Sequence, residues 1–303
     1  MGLTFGTEPV SVSTPATSAN LGPGFDALGL ALTLYDDLTA RVTGGGFTVT
    51  LHGEGAGELP TDARHLVIRA MLATFDEAGE RPPGVALECV NRIPQARGMG
   101  SSSAAIVGGV QLARGLIKDG QKLIDDAAAL RIAARLEGHP DNVAPCLLGG
   151  FTIAWTEPGG ARAVKLAPAA GVRPMVFVPA ELGYTASARA ALPSEVPHPD
   201  AAFNAGRAAL LTHALTVDPS LLFPATEDRL HQGYRASGMP GTAALVAALR
   251  SAGVAAVVSG AGPTVLALTE VPGDFAPGAH WRGEVLGVDD AGACVKGGMV
   301  EHA

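Results

Sequence analysis

The chain is poor in almost everything that marks a secreted, membrane-bound or nucleic-acid-binding protein. It has three cysteines in 303 residues, Cys89, Cys146 and Cys294. An odd, widely spaced set excludes a disulfide framework and a zinc-ligand pattern, so all three read as reduced packing residues of a cytoplasmic protein. Lys and Arg number 21 against 29 Asp and Glu, a net charge of −8. Without a dense cationic face, neither nucleic acid nor an anionic membrane is an expected partner. No apolar run approaches the roughly 18 residues that a membrane span requires. The opening MGLTFGTEPV has neither a basic start nor an apolar stretch for export. The dipeptide Gly-Lys is also missing, which excludes the common P-loop.

What is abundant is glycine, 40 residues in a composition that is 47% hydrophobic and only 17% charged. Such a chain buries enough apolar surface to fold, and its length suits two cores of ordinary size. A small molecule is the expected partner. β-Branched or alternating apolar residues between turn signals predict strands over 10–14, 38–42, 47–52 and 85–90. Apolar spacings of three and four predict helices over 65–77, 101–118 and 125–137, the last stopped by Gly138. Further on, strands are expected over 151–155, 162–166 and 174–178, helices over 201–215 and 242–251, and strands over 254–258 and 264–268 around a glycine loop. The pattern is α+β, and the Pro/Gly-bearing break over 157–160 divides the chain into 1–157 and 158–303.

The densest glycine and serine cluster is PQARGMGSSSAAIVGG, residues 94–109. A helix starting at Ser101, directly after Gly98 and Gly100, presents unpaired N–H groups and a positive dipole end. Glycines let the backbone wrap an oxyanion closely, and phosphate is the expected occupant. Ser102 or Ser103 adds a hydroxyl for a phosphate oxygen or Mg²⁺. A flexible loop with Ser101 as N-cap is the alternative for an isolated GSSS. Here Ala104, Ala105, Gly108, Gly109 and Ala113 keep one helix face bare, although each glycine costs about 0.8 to 1 kcal/mol relative to alanine. Something is expected to pack very close.

Pro94, Gly98, Met99, Gly100, Ser101, Ser102 and Ala104 resemble the phosphate loop of the GHMP kinases, roughly P-x-x-x-G-L-G-S-S-x-A, with Met in place of Leu. PATSANLGPGFDALGLAL (15–32), EGHPDNVAP (137–145) and SGAGPTV (259–265) match the same family in consistent order over essentially the whole chain. They resemble in particular the branch that acts on L-homoserine. The resemblance implies phosphoryl transfer from ATP, with Mg²⁺, to a small alcohol in the cytoplasm, in the service of threonine biosynthesis. It implies an N-terminal α/β domain with a left-handed βαβ crossover, a ferredoxin-like C-terminal domain that binds substrate, and a homodimer as one expected assembly. It also implies ATP contacts along Pro94, Gln95, Ala96, Arg97, Gly98, Met99, Gly100, Ser101, Ser102, Ser103 and Ala104.

An amino-acid alcohol needs partners for an ammonium, a carboxylate and a hydroxyl. In a loop stiffened by Pro23 and opened by Gly22 and Gly24, Asp26 suits the ammonium and Asn20 a hydrogen bond to substrate. Their duller alternatives are an N-cap and an Asx turn. Arg189 and Arg235 resemble two arginines that the family uses as forks on the carboxylate, the alternative being solvated surface residues. Thr185, four residues before Arg189, faces the same side of a helical turn and would orient the transferring phosphate. Glu137 stands at the negative end of a helix, where a carboxylate is disfavoured by about 0.3 to 1 kcal/mol. With Ser102 it is expected to hold the Mg²⁺ that bridges the phosphates.

Asn142 is expected to orient the hydroxyl, with Asp141 as candidate base and His139 as a substrate contact or, alternatively, a loop histidine capping a carbonyl. Gly260 and Gly262 bring backbone amides against the first loop or the substrate, or else make only a tight β-connection. In RHLVIRAM, His65 stands where the family tends to place Asn, leaving Leu66, Val67 and Met71 as apolar walls for the base. Two other readings are another GHMP small-molecule kinase, which would not require an acidic partner for an ammonium, and a non-catalytic GHMP-fold ligand sensor, in which phosphate and metal residues should have eroded.

Overall fold

The computed structural model describes residues 2–296. It opens with a long antiparallel hairpin of β1 (Val10–Ala19) and β2 (Leu28–Val42), paired up to Ala19 opposite Gly29 with a register shift between Pro15 and Ala16. The sequence predicts strand only over 10–14 and 38–42. Pairing carries both strands to residues 19 and 28, because the GLALTL run continues a buried two-faced strand up to the glycine-rich tip. β3 (Gly46–Gly53) and β4 (Gly84–Asn91) run parallel, a pairing that needs a crossover, which α1 (Leu66–Ala78) supplies. β4 pairs with the second half of β2, over 37–42.

α2 (Ser101–Leu116), α3 (Gly120–Leu123), α4 (Asp126–Glu137) and α5 (Pro140–Leu148) follow. β5 (Phe151–Glu157) then pairs with the first half of β2, at residues 28–30, and turns back on β6 (Gly160–Leu166). The close approach expected at the bare face of α2 is made by protein. A Cβ on Gly108 would overlap the Leu38 side chain, and one on Gly109 would overlap the carbonyl of Val67 and the methyl of Ala70. The absent side chains let α1 and the sheet close on α2, and the dispersion contacts so gained offset the propensity cost of the glycines.

The second sheet has β7 (Met175–Pro179), β8 (Ala256–Val258), β9 (Val265–Ala267) and β10 (Trp281–Val285) in the order β10-β7-β9-β8, all antiparallel. Between its strands lie α6 (Thr185–Ala190), α7 (His198–Thr216), α8 (Leu222–Ala225), α9 (Gln232–Arg235) and α10 (Pro240–Ser251). Its faces alternate. Val176, Val178, Val257 and Leu266 join Leu211 and Leu215 in a core continuous with that of the first sheet. Phe177, Val265 and Ala267 instead meet Leu245 and Leu249 of α10. The result is a two-domain α+β architecture in which one core runs through both domains and a second, smaller one lies under α10.

β11 (Cys294–Lys296) returns to the first sheet and pairs antiparallel with β1. By strand pairing the first unit therefore runs through Leu166 and takes back β11, whereas a division at 157/158 falls in the turn of the β5–β6 hairpin. Cys89 and Cys146 are buried, but Cys294 is exposed. It lies on the outward face of an edge strand and is not a packing residue. Among the described residues no helix is long and apolar enough to cross a membrane.

Candidate active site

The tip of the β1–β2 hairpin is held in an unusual backbone path, with positive φ at Asn20 (67°), Leu21 (50°), Gly22 (87°) and Asp26 (56°). Asn20 maintains it. Its Oδ1 accepts from the Asp26 N–H at 2.9 Å and its Nδ2 donates to the Gly260 carbonyl at 2.8 Å. The residue expected to touch substrate is thus first a clamp between two loops.

The chain before α2 turns through positive φ at Ala96, Gly98 and Gly100, and Gly100 occupies the N-cap position. A Cβ on Gly98 would overlap the Ser259 carbonyl, and one on Gly100 the Thr17 hydroxyl. Only glycine permits both the dihedrals and the contacts. The SGAGPTV loop braces this stretch, since the Ser259 hydroxyl donates to the Gly98 carbonyl at 2.6 Å and the Thr264 N–H donates to the Arg97 carbonyl at 3.2 Å.

These loops wall a cleft of about 250 Å³. The hairpin tip contributes Asn20 and Asp26, and the stretch before α2 contributes Ala96, Arg97, Gly98, Gly100, Ser101 and Ser102. Glu137, His139, Asp141 and Asn142 come from the α4–α5 junction, and Thr185, Arg189, Arg235, Gly260 and Gly262 from the second unit. The remaining members of the expected ATP loop lie beneath the surface. Pro94, Met99, Ser103 and Ala104 are buried, and Gln95 bonds the Glu54 carbonyl at 3.3 Å. A tightly turning loop alternates its side chains, so half of them must support the half that faces outward.

The three carboxylates of the cleft, Asp26, Glu137 and Asp141, are engaged. Ser102 and Ser103 donate to one oxygen of Glu137, Oε1, at 2.7 and 3.0 Å. Asp26 takes a bidentate hydrogen-bonded ion pair from Arg189, at 2.9 and 2.6 Å. His139 Nδ1 lies 2.5 Å from Asp141 Oδ1. Burial acts to lower the His139 pKa, but this bond and the nearby Asp141 and Glu137 charges outweigh it and leave the ring above its ordinary value. The Asn142 Oδ1 accepts from Thr17 at 2.8 Å, which leaves its Nδ2 as the donor for the cleft. Arg235 is buried, and burial, followed by the neighbouring Arg189 charge, pulls its pKa below the usual guanidinium range. The surface alternative for Arg235 is therefore excluded.

Residues 65–150 match the GHMP kinases N terminal domain, and residues 202–276 the GHMP kinases C terminal. The homoserine kinase of Streptomyces coelicolor is 53% identical over 298 residues, covering 97% of this chain and 96% of that protein. That of Streptomyces avermitilis is 54% identical over 298 residues, with 97% and 98% covered. The chain belongs to the GHMP kinase family. The crystal structure of homoserine kinase from Cytophaga hutchinsonii aligns with a TM-score of 0.81 at 26% identity, covering 95% of this chain and 97% of that one.

Within this GHMP kinase, sequence reasoning missed Thr17, Phe25 and His231. Thr17 and Phe25 sit inside the quoted hairpin motif, but nothing in the motif says that one holds Asn142 and the other lies against two guanidiniums, 5.7 Å from Arg189 and 5.3 Å from Arg235. His231 precedes Arg235 by one helical turn, a spacing that is its only sequence signal. The expected walls for a base are corrected in part. Val67 and Met71 are 1% exposed because they form the face of α1 that packs inward, which leaves only Leu66 partly accessible. His65 is likewise buried, with Nδ1 unpartnered and its pKa lowered by burial.

Among the described residues no group of three or more His, Cys, Asp and Glu forms a metal site. The carboxylate of Glu137 with two converging hydroxyls is a hard-oxygen set. It fits a Mg²⁺ ion that draws its remaining ligands from phosphate and water.

Proposed function

We propose that this GHMP kinase transfers the γ-phosphoryl group of ATP to the side-chain hydroxyl of L-homoserine. The hydroxyl oxygen forms the new P–O bond, the bond to ADP breaks, a proton is released and O-phospho-L-homoserine is formed. The observation that carries this reading is the Asp26–Arg189 ion pair at one end of a cleft whose other end is an anion loop. A zwitterionic amino acid replaces that pair charge for charge, with its ammonium on Asp26 and its carboxylate on Arg189 and Arg235. The names of the relatives support the same substrate. An alcohol such as mevalonate has no ammonium with which to draw Asp26 from Arg189. A sensor without catalysis has no use for the Ser102–Ser103–Glu137 cluster.

In this reading the backbone N–H groups over 98–103 and the N-terminus of α2 take the phosphates. Ser102, Ser103 and Glu137 would hold a Mg²⁺ ion, which would supply positive charge to offset that of the phosphates. Asn142, held by Thr17, donates to the substrate hydroxyl and orients it, and Thr185 faces the transferring group. Asp141, engaged with His139, serves to hold that ring against the substrate more than to act as a free base. Rate then comes from positioning and from fixed dipoles. The reading places the chain in cytoplasmic threonine biosynthesis.

The test is ADP release from ATP, with and without Mg²⁺, in the presence of L-homoserine, 3-aminopropan-1-ol, 4-hydroxybutanoate or mevalonate. Homoserine should show the highest kcat/KM, and only with the divalent ion. Turnover of mevalonate but not homoserine would overturn the substrate, and ADP release with none of the alcohols would overturn the activity.

A further inference from the structure

Arg235 lines the cleft and has two of its three guanidinium nitrogens bonded to protein. Nε donates to the Ala188 carbonyl at 3.1 Å and Nη1 donates to Nδ1 of His231 at 3.1 Å. Nη2 makes no hydrogen bond among the described residues. Because arginine nitrogens only donate, His231 Nδ1 must be an acceptor without a proton. The ring proton therefore sits on Nε2, which donates to the Gly22 carbonyl at 2.7 Å. The tautomer is set from both sides.

The surroundings keep the ring in this state. His231 is fully buried and stacks on Phe25, with centroids 5.2 Å apart and planes at 28°. Burial lowers its pKa, and Arg235 adds to the effect. Asp228, with Oδ2 3.7 Å from Nε2, together with the Gly22 bond and the more distant Asp26, opposes them without reversing the direction. Asp228 is occupied elsewhere, accepting from the backbone N–H groups of His231 at 3.1 Å and Gln232 at 2.8 Å. Those bonds hold the start of α9, in which the Arg235 N–H donates to the His231 carbonyl at 3.2 Å, stacking the two residues.

We propose that His231, neutral and protonated on Nε2, is a positioning residue for substrate recognition, tying Arg235 to the hairpin tip at Gly22 and leaving its unbonded Nη2 for the substrate carboxylate. The proposal rests on the assignment of Arg235 to that carboxylate. An uncharged acceptor suits the task. A carboxylate in its place would neutralise Arg235 and weaken its pull on the ligand, and a protonated imidazole would set donor against donor. The neutral ring orients the guanidinium and leaves its charge for the substrate.

The test uses His231→Phe, His231→Asn and Arg235→Ala, each assayed with homoserine and with 3-aminopropan-1-ol, which lacks the carboxylate. Phe keeps the ring and its stack on Phe25 but cannot accept a hydrogen bond, whereas Asn returns an acceptor oxygen close to the position of Nδ1. His231→Phe should lower kcat/KM for homoserine about 10- to 100-fold, the usual effect of losing an orienting partner. The loss should appear in KM, with 3-aminopropan-1-ol and the KM for ATP unchanged, and His231→Asn should recover most of it. Equal losses on both substrates, or no recovery with Asn, would reduce His231 to a packing residue and overturn the proposal. Arg235→Ala separates the two layers of inference. If it discriminates between the substrates and His231→Phe does not, positioning alone fails. If it also affects both equally, the carboxylate assignment falls and takes the proposal with it. Should His231→Phe not fold, ring nitrogen NMR shifts of the wild-type protein at neutral pH decide. A neutral ring protonated on Nε2 supports the proposal, and a charged or Nδ1-protonated ring overturns it.

Discussion

The two ends of the cleft are built by opposite means. At the end we assign to phosphate, one contiguous stretch turns through positive φ at Gly98 and Gly100 and leaves the start of α2 facing the cleft. At the amino-acid end, side chains arrive from far apart in the chain. Asp26 meets Arg189 across 163 positions, and Asn20 meets Gly260 across 240. The first end leaves its donors open, because amides at a helix start have no partner inside the helix. The second pairs Asp26 with Arg189 and gives Arg235 only neutral partners among the described residues. In the proposed function, binding at the phosphate end adds interactions, while binding at the amino-acid end exchanges them, so selectivity there would come from leaving the wrong ligand with an unreplaced ion pair.

The largest way to break this contrast is Gly100→Val. A Cβ at that position overlaps the Thr17 hydroxyl in a left-handed backbone and so disturbs the anion loop and the support of Asn142 together. We expect a loss of at least about a thousandfold in kcat/KM, some 4 kcal/mol, with ATP binding gone by calorimetry. Wild-type ATP affinity in this variant would sink the anion-loop assignment.

Next in size is Asp26→Asn, which acts only at the exchanging end. Homoserine should lose roughly 2 to 4 kcal/mol in kcat/KM, the cost of removing one partner of a close charge pair. Turnover of 4-hydroxybutanoate, which has no ammonium, should not fall and should rise modestly as Arg189 is released from Asp26. Parallel losses on both alcohols would mean that Asp26 supports the loop in general.

Glu137→Gln sharpens the comparison from the other side. It keeps an acceptor for Ser102 and Ser103 but removes the charge, so the Mg²⁺ requirement should rise about 10- to 100-fold while the KM for homoserine stays put. A titration of activity against Mg²⁺ measures this. An unchanged curve would remove Glu137 from the metal site.

The smallest effect on activity is expected from Asp36, a buried carboxylate outside both ends. Burial pushes its pKa up to about 6, against the opposing pull of the Ile93 and Arg92 N–H groups. A carboxyl whose pKa is higher in the folded state contributes stability below its unfolded value, and that contribution is lost as pH rises through the folded one. Stability should therefore fall as pH is raised from about 4 to 6, by at most about 3 kcal/mol. Asp36→Asn should flatten this slope in thermal melts and leave kcat/KM for homoserine unchanged. A slope that persists in the variant would assign it to other groups.

The long amphipathic helices were legible because their period is local. The helices expected over 101–118 and 125–137 appear as Ser101–Leu116 and Asp126–Glu137. Other elements were not. β11 is three residues long and exists only by pairing with β1, and α5 carries an internal Pro145 that speaks against a helix. The bare face of α2 was read correctly as a close contact, but the neighbour could not be named from a single helix. It is α1 and the sheet.

By itself the sequence determined the α+β class, the family resemblance and the two glycine loops. At Gly98, Gly100 and Gly262 positive φ and the absence of room for a Cβ leave one residue type available, so the backbone demand is written directly in the residue. Tertiary structure alone decided that Asp26 and Arg189 neutralise each other, that Asn20 clamps two loops, that Thr17 bonds Asn142, and that His231 meets Arg235. Side-chain chemistry permits each of these residues many partners. The choice among them is made by distances that exist only once sheets, helices and loops from both ends of the chain have packed around one core.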